Sequence, residues 1–160
     1  MTLTVGVIGI DHRHIFGQLE NMQSRGCICK GWYTDGEPQP MDGFIKRFHN
    51  IPRVPDQQTL LQDPEIDMIL TAGIPSQRAN VALAAMRAGK DVMTDKPGCT
   101  TLEQLAALRA CVAETGRIWS IDFSERFEVP AVTRAAELIA KGAIGTVIQT
   151  VGLGPHRLNL

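Results

Sequence analysis

Short apolar segments alternate with amphipathic helical patterns through most of this chain, and this alternation constrains the fold more than any other feature. Runs that predict buried strands occur at residues 5–10, 27–33, 66–72, 91–94 and 117–123. Helices are predicted between them, at residues 13–24, 44–48, 59–62, 76–89 and 100–116. A repeated strand–helix–strand order predicts an α/β fold, with a doubly wound parallel sheet that carries helices on both faces.

The pattern changes after residue 123. A helix is predicted from Val129-Pro130 to Lys141, and an apolar strand at residues 146–153. An apolar strand without a partner is an exposed edge, which proteins usually avoid. We therefore expect residues 124–160 to begin a second, α+β domain, most of which is missing from this chain.

Composition excludes several classes of function. The 160 residues are 44% hydrophobic and carry a formal net charge of -1, so we expect a globular protein without a nucleic-acid or membrane partner. No apolar run approaches the roughly 20 residues of a membrane span, and no signal peptide is recognisable, which predicts a cytoplasmic protein. The cysteines lack the spacing of a zinc site and are expected to be reduced.

The segment 89–101 places a lysine at a strand end. Apolar residues lead into Asp95-Lys96-Pro97, and Thr100 with Glu103 has the spacing of a capping box for the next helix. The carboxyl end of a strand is where open α/β sheets bind ligands. Lys96 is therefore either a functional group at that edge or a solvated lysine beside a turn.

The first strand–helix turn is the place where a dinucleotide fold would hold a pyrophosphate. When G-x-G-x-x-G is laid on residues 9–14, only Gly9 matches, because Asp11 and His14 replace the other two glycines. Arg13 offers a compensating cation, and Asp11 is alternatively the N-cap of the first helix. His12 and His14 resemble a metal-binding pair, but no third ligand lies close in sequence, so no metal site is predicted.

The end of the second strand normally supplies an acidic residue for the adenosine ribose. Asp35 lies 26 residues after Gly9, compared with the usual spacing of about 20. Thr34 is the other candidate for this position, and Asp35-Gly36 is alternatively only a turn. The choice between NAD and NADP stays open at this point.

These motifs together resemble the Gfo/Idh/MocA oxidoreductases, the glucose–fructose oxidoreductase and inositol dehydrogenase group. The most specific part is A-G-K-D-V-M-T-D-K-P at residues 88–97, which is similar to the family's A-G-K-H-V-x-x-E-K-P, with Asp95 in place of glutamate. Ile74-Pro75-Ser76 and Ala79 depart from the family's T-P-N-x-x-H. Both this change and the altered glycine loop lie on the cofactor side.

The resemblance implies an NAD(P)-binding Rossmann domain at residues 1–123 and the start of a substrate domain at residues 124–160. It implies hydride transfer between NAD or NADP and a sugar- or polyol-type substrate, with Lys96 as the catalytic group that bonds the substrate oxygen, and a Lys96–Pro97 bond that is cis. The residues expected at the cofactor are Gly9, Ile10, Asp11, His12, Arg13, Thr34, Asp35, Ala72, Ile74, Pro75, Asp95, Lys96 and Pro97.

Two further expectations follow from the resemblance. The family's acid–base residues lie in the second domain, so the 160-residue chain alone should turn over little substrate, and the full-length protein should be a homo-oligomer. The alternative is a non-catalytic Rossmann-fold binding protein with a degenerate phosphate loop, which the substitutions Asp11, His14, Ser76 and Ala79 motivate.

Overall fold

The structure is a computed structural model that describes residues 2–127 and 129–154. The strands of the described residues are β1 (Thr4–Ile8), β2 (Ile28–Tyr33), β3 (Met68–Thr71), β4 (Asp91–Asp95) and β5 (Trp119–Asp122). The helices are α1 (His14–Ser24), α2 (Met41–Arg47), α3 (Gln57–Leu61), α4 (Arg78–Arg87), α5 (Leu102–Thr115), α6 (Ser124–Phe127) and α7 (Pro130–Ala140).

All strand pairs are parallel, and the strand order is β2-β1-β3-β4-β5. The predicted α/β fold with a doubly wound parallel sheet is confirmed. Because the chain winds outward in opposite directions from β1 and β3, the order reverses between these two strands. Ligands of open α/β sheets bind outside the carboxyl ends of the strands at such a switch point.

The sheet separates two apolar layers, since successive strand side chains point to opposite faces. On one face Ile8, Ile69 and Val92 pack with α3, α4 and α5, and the alanines of α4 let that helix approach closely. On the other face Val7 and Leu70 pack with α1 and α2. Burial of both faces explains why the strands are continuous apolar runs rather than alternating ones.

Helix starts differ from the predicted caps. Asp11 does not cap α1: the N-cap is Arg13, without a side-chain cap bond among the described residues. Two residues separate Asp11 from the first residue of α1, so Asp11 lies too far from the first helical turn to cap it. Likewise α4 begins after Gln77 rather than Ser76, and α5 is capped by Thr101, which accepts from the Gln104 N–H, rather than by Thr100.

Residues 123–160 form a separate unit from residues 1–122. Helix α7 was predicted, whereas α6 was not. The predicted strand at residues 146–153 is wrong, because none of these residues is in a strand and the described part of the unit contains no strand for it to pair with. Its apolar side chains are exposed, Ile148 by 94% and Leu153 by 91%. No helix in the described ranges is long and apolar enough to cross a membrane.

Candidate functional site

Two glycines meet at the switch point of the sheet. Gly9 follows β1 with a φ of +82°, and a Cβ added to it would lie 2.8 Å from the Cα of Gly73, which follows β3. Ala72 donates its N–H to the Gly9 carbonyl, and His12 donates to the Ala72 carbonyl at 2.9 Å. Glycine is therefore required at position 9 for two reasons. The backbone there is left-handed, and the loops that follow β1 and β3 approach each other closely.

An open cleft of about 120 Å³ lies beside this contact. Five of the predicted cofactor residues line it, namely Gly9, Asp11, Thr34, Asp35 and Ile74. Prediction from sequence missed the other residues that line it, which are Ile8, Tyr33, Gln57, Thr71, Gly73, Gln77, Arg78 and Val81. The cleft thus joins the carboxyl ends of β1, β2 and β3.

Three polar side chains line the β2 end of the cleft, and Arg53 lies beside them. Thr34 is buried, and its hydroxyl has no hydrogen-bond partner within residues 2–127 and 129–154. The Tyr33 hydroxyl donates to the exposed Asp35 carboxylate. Arg53 donates from Nη2 to the Thr34 carbonyl at 3.3 Å, while its guanidinium lies over the Trp32 ring. This end therefore offers an orphan hydroxyl and a carboxylate to a ligand.

Asp11 brings negative charge into the phosphate loop. Burial raises the pKa of its carboxyl, as does the charge of Asp35, while the Arg78 charge lowers it. A Cβ on Gly73 would lie 3.7 Å from Asp11 Oδ2, which places the carboxylate at the glycine contact. Asp11 thus faces the cleft instead of capping the helix.

Arg78 connects the cleft with the end of β4. It is only 2% exposed, and its Nε donates to the Gly73 carbonyl at 2.7 Å. Its Nη1 donates to the carbonyls of Asp95, Lys96 and Pro97 at 3.1, 2.7 and 3.2 Å. Burial lowers the pKa of the Arg78 guanidinium, and Asp95 opposes that shift. The sequence signal for Arg78 was a single charged residue in the first turn of an alanine-rich helix.

Asp95 is the centre of a charged cluster. Its side chain is 1% exposed, and its Oδ2 lies 3.1 Å from Arg78 Nη2. Its Oδ1 accepts from the Lys96 N–H and lies 2.8 Å from His14 Nδ1, while Oδ2 lies 3.2 Å from His12 Nδ1. Burial lowers the pKa of His12, and the neighbouring His14 lowers it further. Prediction from sequence found no third ligand near the histidine pair, whereas the fold supplies Asp95.

The structure places Lys96 at the carboxyl end of β4, as predicted. The Lys96–Pro97 bond is cis, which confirms the expectation from the family resemblance. Lys96 is half-buried, and its ammonium has no hydrogen bond or ion pair to another described residue. Among the other predicted residues, Ile10 and Ala72 lie in the core, whereas Arg13, Pro75 and Pro97 are exposed.

Comparison with known proteins identifies a family. A sequence model described as the oxidoreductase family, NAD-binding Rossmann fold (GFO_IDH_MocA) matches residues 39–123. The chain is similar to levoglucosan dehydrogenase of Pseudarthrobacter phenanthrenivorans, with 30% identity over 74% of this chain and 30% of that protein. It is also similar to the NAD(+)-dependent scyllo-inositol 2-dehydrogenase of Bacillus subtilis, with 33% identity over 61% of this chain and 28% of that protein.

A solved structure agrees closely with the fold. A protein from Erwinia carotovora atroseptica superposes with a TM-score of 0.94 at 39% identity, over 99% of this chain and 47% of that one. The present chain therefore spans less than half the length of these relatives.

Proposed function

This chain belongs to the Gfo/Idh/MocA oxidoreductase family, and we propose that it supplies the cofactor-binding part of a dehydrogenase acting on a hydroxyl of a sugar or polyol. The observation that carries this proposal is the contact of Gly9 with Gly73 at the switch point, beside an open cleft. A dinucleotide needs the backbone of the first strand–helix turn to come close to its pyrophosphate, and Gly9, which lines the cleft at that turn, has no side chain to prevent this.

The residues present fit a nicotinamide dinucleotide. The orphan hydroxyl of Thr34 and the carboxylate of Asp35 lie where a ribose would bind. The exposed Arg13 side chain starts α1, where a helix N-terminus favours phosphate. The nicotinamide, when bound, supplies the hydride chemistry. The chain's own part is to hold and orient the two halves of the cofactor.

Lys96 is proposed as the catalytic group. Its ammonium has no internal partner in the described ranges, while the Arg78 guanidinium and the Asp95 carboxylate hold its backbone. A lysine held in this way is able to donate a hydrogen bond to the substrate oxygen and to stabilise developing alkoxide charge. The backbone of Lys96 is thus fixed, while its ammonium remains available to bond a substrate.

We further propose that NAD is preferred over NADP. The Asp35 carboxylate lies at the β2 end of the cleft, where it would repel a 2′-phosphate and accept from ribose hydroxyls. Arg53, the neighbouring cation, is already engaged by the Thr34 carbonyl and the Trp32 ring. The negative charge of Asp35 at the β2 end of the cleft therefore favours NAD, whose adenosine ribose carries no 2′-phosphate, over NADP.

Fluorescence titration of NADH and NADPH into the chain tests this proposal. We expect NADH to bind more tightly, and Asp35→Asn to lower NADH affinity by about tenfold and remove the preference. Glu37→Gln, a nearby exposed charge that is not part of the cleft lining, is the control and should leave both affinities unchanged. Binding of neither nucleotide at millimolar concentration would favour the non-catalytic alternative, which the dehydrogenase relatives do not favour.

Several predictions concern the whole protein. We propose that residues 124–160 begin a substrate and oligomerisation domain, that the protein is cytoplasmic and homo-oligomeric when full length, and that the isolated chain has little turnover. Rapid oxidation of a polyol by the 160-residue chain would contradict the last of these.

A further inference from the structure

We propose that His12, His14 and Asp95 form a binding site for a divalent cation of the zinc type. The site lies at the end of β4, and it goes beyond the cofactor function because it needs no nucleotide. The ligand atoms are one imidazole nitrogen from each histidine and one carboxylate oxygen, which all lie within 4.8 Å of one another. Imidazole and carboxylate are ligands that zinc and similar cations accept.

The distances are close to those of a coordinated ion. Bonds of about 2.0–2.2 Å in a tetrahedral site place neighbouring ligand atoms about 3.3 Å apart. His12 Nδ1 lies 3.2 Å from Asp95 Oδ2, and His14 Nδ1 lies 2.8 Å from Asp95 Oδ1. Both histidine–carboxylate distances are therefore close to the spacing of two ligands on one cation.

The Asp95 carboxylate has a guanidinium partner but keeps one oxygen without a hydrogen bond among the described residues. Asp95 Oδ2 is buried and accepts no hydrogen bond from any described residue, although Arg78 Nη2 lies 3.1 Å away. His12 Nδ1 lies 3.2 Å from Asp95 Oδ2 and accepts a long 3.4 Å bond from the His14 N–H. The imidazole nitrogen and the carboxylate oxygen are therefore close enough to bind the same cation.

The surroundings define the type and strength of the site. The imidazoles are 47% and 31% exposed, which leaves coordination positions for water. Arg78 holds the backbone of Asp95 and so orients a ligand, but its positive charge opposes a second cation. We therefore expect micromolar binding rather than the much tighter binding of a structural zinc site.

Calorimetric titration of zinc chloride into the chelator-treated chain, under reducing conditions, tests the proposal. We expect one equivalent to bind with a dissociation constant of about 10 µM or tighter. His12→Gln and His14→Gln should each weaken binding by at least about tenfold. His49→Gln, at an exposed histidine outside the cluster, should leave it unchanged.

Cobalt(II) provides an independent readout of the ligands. Absorption of the cobalt-loaded chain should show nitrogen and oxygen ligands without a thiolate charge-transfer band, since no cysteine belongs to the cluster. Thiolate bands, absence of zinc binding, or equal affinity in the His12→Gln/His14→Gln double variant would overturn the proposal. NADH titration in the presence of chelator tests the cofactor function separately, so the two can fail independently.

Discussion

The two ends of the sheet's carboxyl edge are built in opposite ways. At the β1–β2 end, glycines, a hydroxyl and an exposed carboxylate border an open cleft, and the Thr34 hydroxyl has no partner among the described residues. At the β4 end, a fully buried carboxylate is surrounded by Arg78, two histidines and the Lys96 N–H. The first region is an open cleft bordered by polar groups, whereas the second is a closely packed cluster of charged groups around a buried carboxylate.

This difference fits the roles proposed for the two regions, which are recognition of the cofactor at the cleft and chemistry at Lys96. A cleft with unpaired polar groups gains hydrogen bonds when a ligand binds, which suits the adenosine half of a dinucleotide. The buried pair of Arg78 and Asp95 costs free energy to desolvate. In return, both side chains hydrogen-bond the backbone of Lys96 and hold it in place. Arg78 belongs to both regions, because it bonds Gly73 on one side and residues 95–97 on the other.

The largest effect is expected where the two regions are joined. Arg78→Leu removes the hydrogen bonds to both loops and leaves Asp95 as a buried charge without its guanidinium partner. We expect the free energy of unfolding to fall by about 3–5 kcal/mol, measured by urea denaturation. Arg87→Leu, an exposed arginine on the same helix, should change it by less than about 0.5 kcal/mol. Similar losses in both variants would mean that Arg78 does not join the regions.

Gly9→Ala tests the close approach at the switch point. The new Cβ would meet the Gly73 backbone at 2.8 Å, in addition to the strain of a positive φ. We expect a loss of about 2–4 kcal/mol in stability, together with weaker NADH binding. Gly36→Ala provides the control, since Gly36 has a φ of +61° but open space around it, and should lose only about 1–2 kcal/mol. A smaller loss at Gly9 than at Gly36 would break this interpretation.

A smaller effect is expected from charge in the cleft. Asp11→Asn removes a carboxylate that faces the position proposed for the phosphates. At neutral pH, NADH affinity should rise by about three- to tenfold in a fluorescence titration. Asp42→Asn, on the exposed face of α2, is the matched control. Unchanged or lower affinity in Asp11→Asn would place the phosphates elsewhere.

Features set by local periodicity were predictable from the sequence. The β-strands and the helices α1, α4, α5 and α7 follow from apolar spacing, and glycines such as Gly89 end helices where expected, with a φ of +79°. The strand at residues 146–153 was wrong because an apolar pattern does not supply the partner that a strand needs.

The site itself was only partly predictable. Gly9 and Asp35 were found because they occupy known positions after a strand, and both line the cleft. The bond between His14 and Asp95 joins residues 81 positions apart, so no spacing rule reveals it. Arg78 was missed for the same reason, since its partners follow β3 and β4 rather than its own helix.

Amide chemical-shift mapping of the 160-residue chain tests the central proposal most directly, namely that the cleft holds the adenosine half of NAD and that Lys96, at the end of β4, acts beside the nicotinamide half. ADP-ribose, which lacks nicotinamide, should shift the amides of Gly9, Thr34 and Asp35 and leave that of Lys96 in place. NAD should shift all four. Identical changes at Lys96 with both ligands, or no change at Gly9, Thr34 and Asp35 with either, would contradict the account.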